Sequence, residues 1–138
     1  MERKQFLKTA LLVNAAIIAK PLLAMAKGFV IADFPLSNNN VTYYKKSDAP
    51  YDLLRKGFNK RIEKFPQIIA LCSTTEGVAQ AVKYAVANKL PIAIKSGGHC
   101  MEGFSSNNGG MVINLSLLNK VEWVEDFVVK VGPGCTLA

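Results

Sequence analysis

Histidine is nearly absent from this 138-residue chain, with His99 its only one. Cysteine is scarce as well, and Cys72, Cys100 and Cys135 show no CxxC spacing. A zinc site lacks ligands in such a chain, and a disulfide framework lacks density. A single disulfide stays open if the protein is exported. Long hydrophobic runs are also missing. The run from Thr9 to Ala19 is broken by Asn14 and falls short of the roughly 20 residues a membrane span needs. No internal repeat, Walker Gly-Lys-Ser/Thr or Rossmann glycine fingerprint occurs. Acidic residues are in the minority, 10 against 17 basic ones, a formal charge of +7. Four of the basic residues, Arg3, Lys4, Lys8 and Lys20, fall in the first twenty positions. The remaining excess suits an anionic ligand, but is too small and scattered for nucleic acid. The length bounds the chain to one modest domain, and the even spread of apolar blocks marks it as globular.

Residues 1–26 read as a targeting segment. A basic start, Glu2-Arg3-Lys4-Gln5-Phe6-Leu7-Lys8, precedes the short apolar run, and Ala24-Met25-Ala26 has the small-x-small form that signal peptidases cut. The basic start resembles a twin-arginine export signal. Lys4 replaces the second arginine and Glu2 the serine. That route, which carries folded and cofactor-loaded proteins, is favoured over the general secretory one. Either predicts a periplasmic or secreted location, with no stable membrane span.

Residues 27–61 form a lead-in. Pro35, Ser37 and Asn38-Asn39-Asn40 predict irregular chain up to 47, and Asp48-Ala49-Pro50 opens a short helix carrying Tyr51, Leu54 and Phe58 on one side. The domain proper, residues 62–138, begins with strand, helix, strand. Gln67 to Cys72 is a short apolar run. Ser73-Thr74-Thr75-Glu76 reads as a capping box with Ser73 as cap. The helix runs to about Asn88 with Val78, Ala81, Val82 and Ala85 as its apolar stripe, and Pro91 to Ile94 is the next strand. Such an order favours a parallel pair joined by a crossover. Met111 to Leu115 is a further strand, and Val121–Val124 with Phe127–Val131 form a hairpin across Glu125-Asp126.

Between strands lies a long loop, 96–110, with five glycines and five serines or asparagines. Loops of that length in a compact domain are usually functional or disordered. Gly97 and Gly98 remove both β-carbons where a ligand can approach the backbone. Successive amide N–H groups in such a turn converge on phosphate oxygens. Ser96 and Ser105 add hydroxyls, Lys95 adds a positive charge, and His99 sits at the rim. Alone, these residues support only an anion-tolerant turn.

Their surroundings sharpen this. Tyr51 and Phe58-Asn59, Pro66 to Cys72, Gly77-Val78 to Ala85, Leu90 to His99, Gly103 with Ser105, and Gly110-Met111-Val112-Ile113-Asn114-Leu115-Ser116 follow one order. That series resembles the FAD-binding domain of the vanillyl-alcohol-oxidase and p-cresol-methylhydroxylase (PCMH) family, in its berberine-bridge-enzyme-like branch. Asn114 stands where the family commonly has aspartate, and Cys100 where it has a small residue, often serine.

The resemblance implies an α+β fold, the first part of a PCMH-type FAD-binding domain. It implies FAD as cofactor, held by Lys95, Ser96, Gly97, Gly98, His99, Cys100, Gly103, Phe104 and Ser105, with covalent attachment through His99. No catalytic base and no metal ligand is assigned in this stretch. The complete enzyme would be an oxygen-linked oxidase of an alcohol, sugar or related small molecule. This segment alone is expected to lack turnover. A non-catalytic flavin-binding remnant and a small exported interaction protein stay open as alternatives.

Overall fold

The computed structural model describes residues 34–136. The leader expected over 1–26 lies outside them. From Pro35 onward the chain forms one compact unit. Its elements are β1 (Val41–Tyr44), α1 (Tyr51–Arg55), β2 (Ile68–Cys72), α2 (Thr75–Ala87), β3 (Ile92–Lys95), β4 (Met111–Asn114), β5 (Val121–Glu125) and β6 (Val128–Val131). Four strands make a mixed sheet in the order β1-β2-β4-β3, and β5 with β6 makes a separate hairpin. This is a mixed α+β architecture. Among the described residues no helix is long and apolar enough to cross a membrane.

Strand alternation gives the sheet two faces. On one, the row Tyr44–Ile69–Val112–Ala93 lies in register and packs against Tyr51 and Leu54 of α1. The Tyr51 hydroxyl donates to the Pro66 carbonyl at 2.7 Å, which satisfies the one polar atom of that buried side chain. On the other face the row Tyr43–Ala70–Ile113 lies under α2, whose inward residues are Gly77, Ala81 and Ala85. Small residues there bring helix and sheet close. Ile68, Ile69, Met111 and Ile113 are fully buried, each contributing about 1.5–3 kcal/mol by burial. Cys72 shares this interior, and burial pushes its thiol up to about 11.

Four sequence expectations are corrected. Val41–Tyr44 is an edge strand, antiparallel to β2, and not irregular chain. The helix after Pro50 stops at Arg55, so Phe58 lies beyond it, exposed. The cap of α2 is Thr74, whose Oγ1 accepts from Gly77 N at 3.1 Å, while Ser73 Oγ donates to the Asn39 carbonyl. Val82 points outward, because the inward stripe runs Gly77–Ala81–Ala85 and Val82 lies roughly 100° round the helix from Ala81. β2 and β3 are parallel as expected but are not neighbours. β4 enters between them, so the 96–110 loop returns from the end of β3 to the start of a strand on its inner side.

Candidate functional site

The loop leaves the carboxyl end of β3, where open parallel sheets commonly bind ligands. It is anchored along its length by the segment between α1 and β2. Phe58 N donates to the Gly98 carbonyl at 2.8 Å, and Asn59 Nδ2 to the Met101 carbonyl at 2.8 Å. Lys64 Nζ reaches the carbonyls of Gly103 and Ser106 at 2.7 and 3.2 Å. Phe65 N donates to Asn108 Oδ1, and Gln67 N to the Gly110 carbonyl. A glycine-rich segment with few apolar contacts is thereby held by backbone and side-chain hydrogen bonds in place of a core.

Lys95 sits beneath the loop. Its side chain is buried, and Nζ donates to the carbonyls of Leu54 and Lys56 at 2.6 and 2.5 Å. These are orphan acceptors at the end of α1, the groups a cation satisfies well. Burial, and secondarily the Lys60 ammonium, hold the Lys95 pKa below its ordinary value. The positive charge expected for a ligand is thus committed to holding α1 against β3.

Above Lys95, Gly98 adopts φ +73°, a left-handed conformation that L side chains rarely take. A β-carbon there would stand 3.0 Å from Lys95 Cε. A β-carbon at Gly97 would meet the His99 ring, with Cδ2 at 3.2 Å. The imidazole therefore folds back over bare backbone. Its other contact is Phe58, stacked at 5.5 Å between centroids and 16° between planes.

Ser96, Gly97, Gly98, His99, Cys100 and Ser105 line one open groove of about 520 Å³, within the range of small-molecule sites. Gly103 and Phe104 do not line it. Gly103, at φ +76°, turns the loop against Ile62, and Phe104 is exposed, its N–H directed to Cys100 Sγ. The groove also takes in Ile94, Cys135 and Thr136, which sequence reasoning passed over. Strand alternation gave a signal for Ile94. The turn at 132–136 reaches the site by Ser96 Oγ donating to the Pro133 carbonyl, a contact with no local sequence signal.

Among the described residues, no protein acceptor pairs with the N–H groups of Gly97, Gly98, His99 or Cys100. Successive amides of this kind, two of them on glycines without β-carbons, suit a ligand with anionic oxygens, and the pyrophosphate of FAD is one. Asn114, fully buried, accepts from Ser116 N at 3.0 Å through Oδ1. An aspartate would make the same bond, so this departure leaves the turn after β4 intact. No cluster of potential metal ligands occurs among the described residues.

Comparison with known proteins agrees with this geometry. The family described as "FAD binding domain" matches residues 66–138. (R)-6-hydroxynicotine oxidase of Paenarthrobacter nicotinovorans is 36% identical over 87 residues, which is 63% of this chain and 19% of that protein. A solved 6-hydroxy-D-nicotine oxidase from Arthrobacter nicotinovorans superposes with a TM-score of 0.60 at 34% identity, covering 64% of this chain and 19% of the other. Glucooligosaccharide oxidase from Acremonium strictum, described as carrying 6-S-cysteinyl, 8α-N1-histidyl FAD, gives a TM-score of 0.64 at 25% identity, covering 69% of this chain and 20% of that one. The chain belongs to the FAD-binding domain family of the PCMH and berberine-bridge-enzyme-like FAD-linked oxidoreductases. It spans about a fifth of the length of the curated relatives it matches.

Proposed function

We propose that this chain is the flavin-anchoring segment of an exported FAD-dependent oxidase, with His99 as the covalent attachment residue. The observation that carries the reading is the groove at His99. There an imidazole stands over bare glycine backbone, next to amides without acceptors. The amides of residues 97–100 would hold the pyrophosphate, with the Ser105 hydroxyl lining the same groove, while the Ser96 hydroxyl is committed to the Pro133 carbonyl. When bound, the isoalloxazine supplies a two-electron acceptor that dioxygen can regenerate. His99 would be the nucleophile toward the 8α-methyl group, through an imidazole nitrogen. Attachment would release one hydrogen from the methyl group and one from the imidazole, and dioxygen would take up both with the two electrons as hydrogen peroxide. A tether of this kind prevents cofactor loss outside the cell. The leader pattern of residues 1–26 supports the exported setting.

The substrate class proposed for the complete enzyme is a small alcohol, sugar or related compound, for which the likeness to glucooligosaccharide oxidase is the support among the named relatives. The short span relative to those proteins favours a second, narrower reading for the isolated polypeptide, flavin binding without turnover. His99→Ala in the intact protein is expected to abolish acid-stable flavin fluorescence on a denaturing gel. Absence of that fluorescence with His99 intact would remove covalent attachment from the account.

A further inference from the structure

We infer that Phe58 is a positioning residue for His99; this rests on the attachment role proposed above and assigns what orients the imidazole. Phe58 is 64% exposed, so core packing does not explain its placement. Its ring instead lies on the His99 imidazole, 5.5 Å between centroids and 16° from parallel, an offset stack of favourable geometry. Its own amide donates to the carbonyl of Gly98, the residue before His99. The next residue, Asn59, bonds the Met101 carbonyl two residues beyond His99. The same strap is fixed from below, where Lys95 Nζ holds the carbonyls of Leu54 and Lys56. Residues 54–59 therefore grip the loop on both sides of the histidine, and the phenyl ring is the only part of the strap that meets the imidazole by ring contact.

The consequence is directional. Phe58 covers one face of the imidazole, and an edge of the ring abuts Gly97 near Cδ2. His99 also lines the groove that Ile94, Ser96 and Cys135 border. A planar ligand entering that groove meets a ring whose rotation about the side-chain torsions is already restricted. Preorganisation of this kind matters most for a bond-forming step. A misplacement of about 1 Å costs on the order of a hundredfold in rate. Phe58 touches no reacting atom in this scheme and acts through His99 alone.

His99 is the only histidine in the chain, so its ring protons give unambiguous NMR signals. In the 138-residue chain these protons are expected upfield of their random-coil positions, through the ring current of Phe58. Phe58→Leu should return them toward random coil, while Phe58→Tyr should keep the shift. In the intact protein, Phe58→Leu should slow covalent flavin incorporation by about tenfold to a hundredfold, with non-covalent FAD affinity unchanged and Phe58→Tyr restoring the rate. Random-coil His99 shifts in the unsubstituted chain would overturn the stack. Wild-type incorporation rates in Phe58→Leu would overturn the positioning role and leave the attachment role standing. An unsubstituted protein that forms no covalent flavin would overturn both.

Discussion

Two adjacent glycines in the loop should respond to alanine in opposite ways. At Gly98 the backbone is left-handed, which costs an alanine about 1–2 kcal/mol. The added β-carbon also meets Lys95 Cε at 3.0 Å. That stem cannot swing freely, because Nζ is tied to the Leu54 and Lys56 carbonyls. Loosening those bonds forfeits part of the roughly 1.5–3 kcal/mol that a charged hydrogen bond contributes. Gly98→Ala is therefore expected to destabilise the fold by about 2–3 kcal/mol. At Gly97 the β-carbon is crowded by the exposed His99 ring, at 3.2 Å, with Thr136 Cγ2 at an ordinary 3.8 Å, and the backbone is not left-handed. Stability there should change by less than about 1 kcal/mol, since unfolded-chain entropy lost on Gly→Ala offsets the crowding. The imidazole, however, must move. Urea denaturation followed by circular dichroism should show the Gly98→Ala midpoint falling by about 1–2 M, for a slope of roughly 1.5 kcal/mol/M, and the Gly97→Ala midpoint nearly unmoved. Covalent flavin yield should drop in both. A Gly97→Ala variant less stable than Gly98→Ala would refute the reasoning, because it would mean the histidine and not the lysine bears the packing.

Further expectations concern the scaffold. Thr74→Ala should cost about 1 kcal/mol and Ser73→Ala only a few tenths, because Thr74 is the residue that caps α2. Equal effects in thermal unfolding would contradict that register. Gly77→Ala should destabilise by about 1–2 kcal/mol although helix propensity alone favours alanine by about 1 kcal/mol. A β-carbon there would lie 2.0 Å from the Asn40 carbonyl oxygen, so α2 must lift off the sheet; a rise in stability would show the approach is looser. The Lys95 pKa is depressed in the fold, so the unfolded chain binds more protons between that lowered value and 10.5. Stability should then rise with pH through that interval. Lys95→Met should flatten the rise, and an unchanged slope would show that another group is responsible.

Elements with strong local signals were legible in the sequence. The apolar block 68–72, the serine–threonine start of α2, and the strands on either side of the long loop all carry their own patterns. What escaped was decided at a distance. Val41-Thr42-Tyr43-Tyr44 is built of strand-favouring residues, but only four of them stand between Asn40 and Lys45, and β2 supplies the edge that pairs them. The insertion of β4 between β2 and β3 is a non-local choice of the same kind. Lys95 looked like a ligand charge because a lysine beside two glycines suggests phosphate. Its burial follows from α1 ending just beneath it. That Gly97, Gly98 and His99 border one groove follows from their adjacency in the chain, whereas the contact of Phe58 with His99 and the approach of Cys135 depend on how separate segments meet.

The hairpin β5–β6 stands apart from the four-stranded sheet. Val121 faces Val131 and Trp123 faces Val129 across the strands, and all of these side chains are exposed. A two-stranded hairpin of this kind is marginal by itself. Covering its exposed apolar side chains against a further surface would stabilise it.

The most direct test of the central claim is mass spectrometry of the tryptic peptide Ser96–Lys120 from the intact protein produced with FAD. Attachment through His99 requires that this peptide carry the flavin and that fragmentation place it on His99. A flavin-loaded protein whose Ser96–Lys120 peptide is unmodified would contradict it.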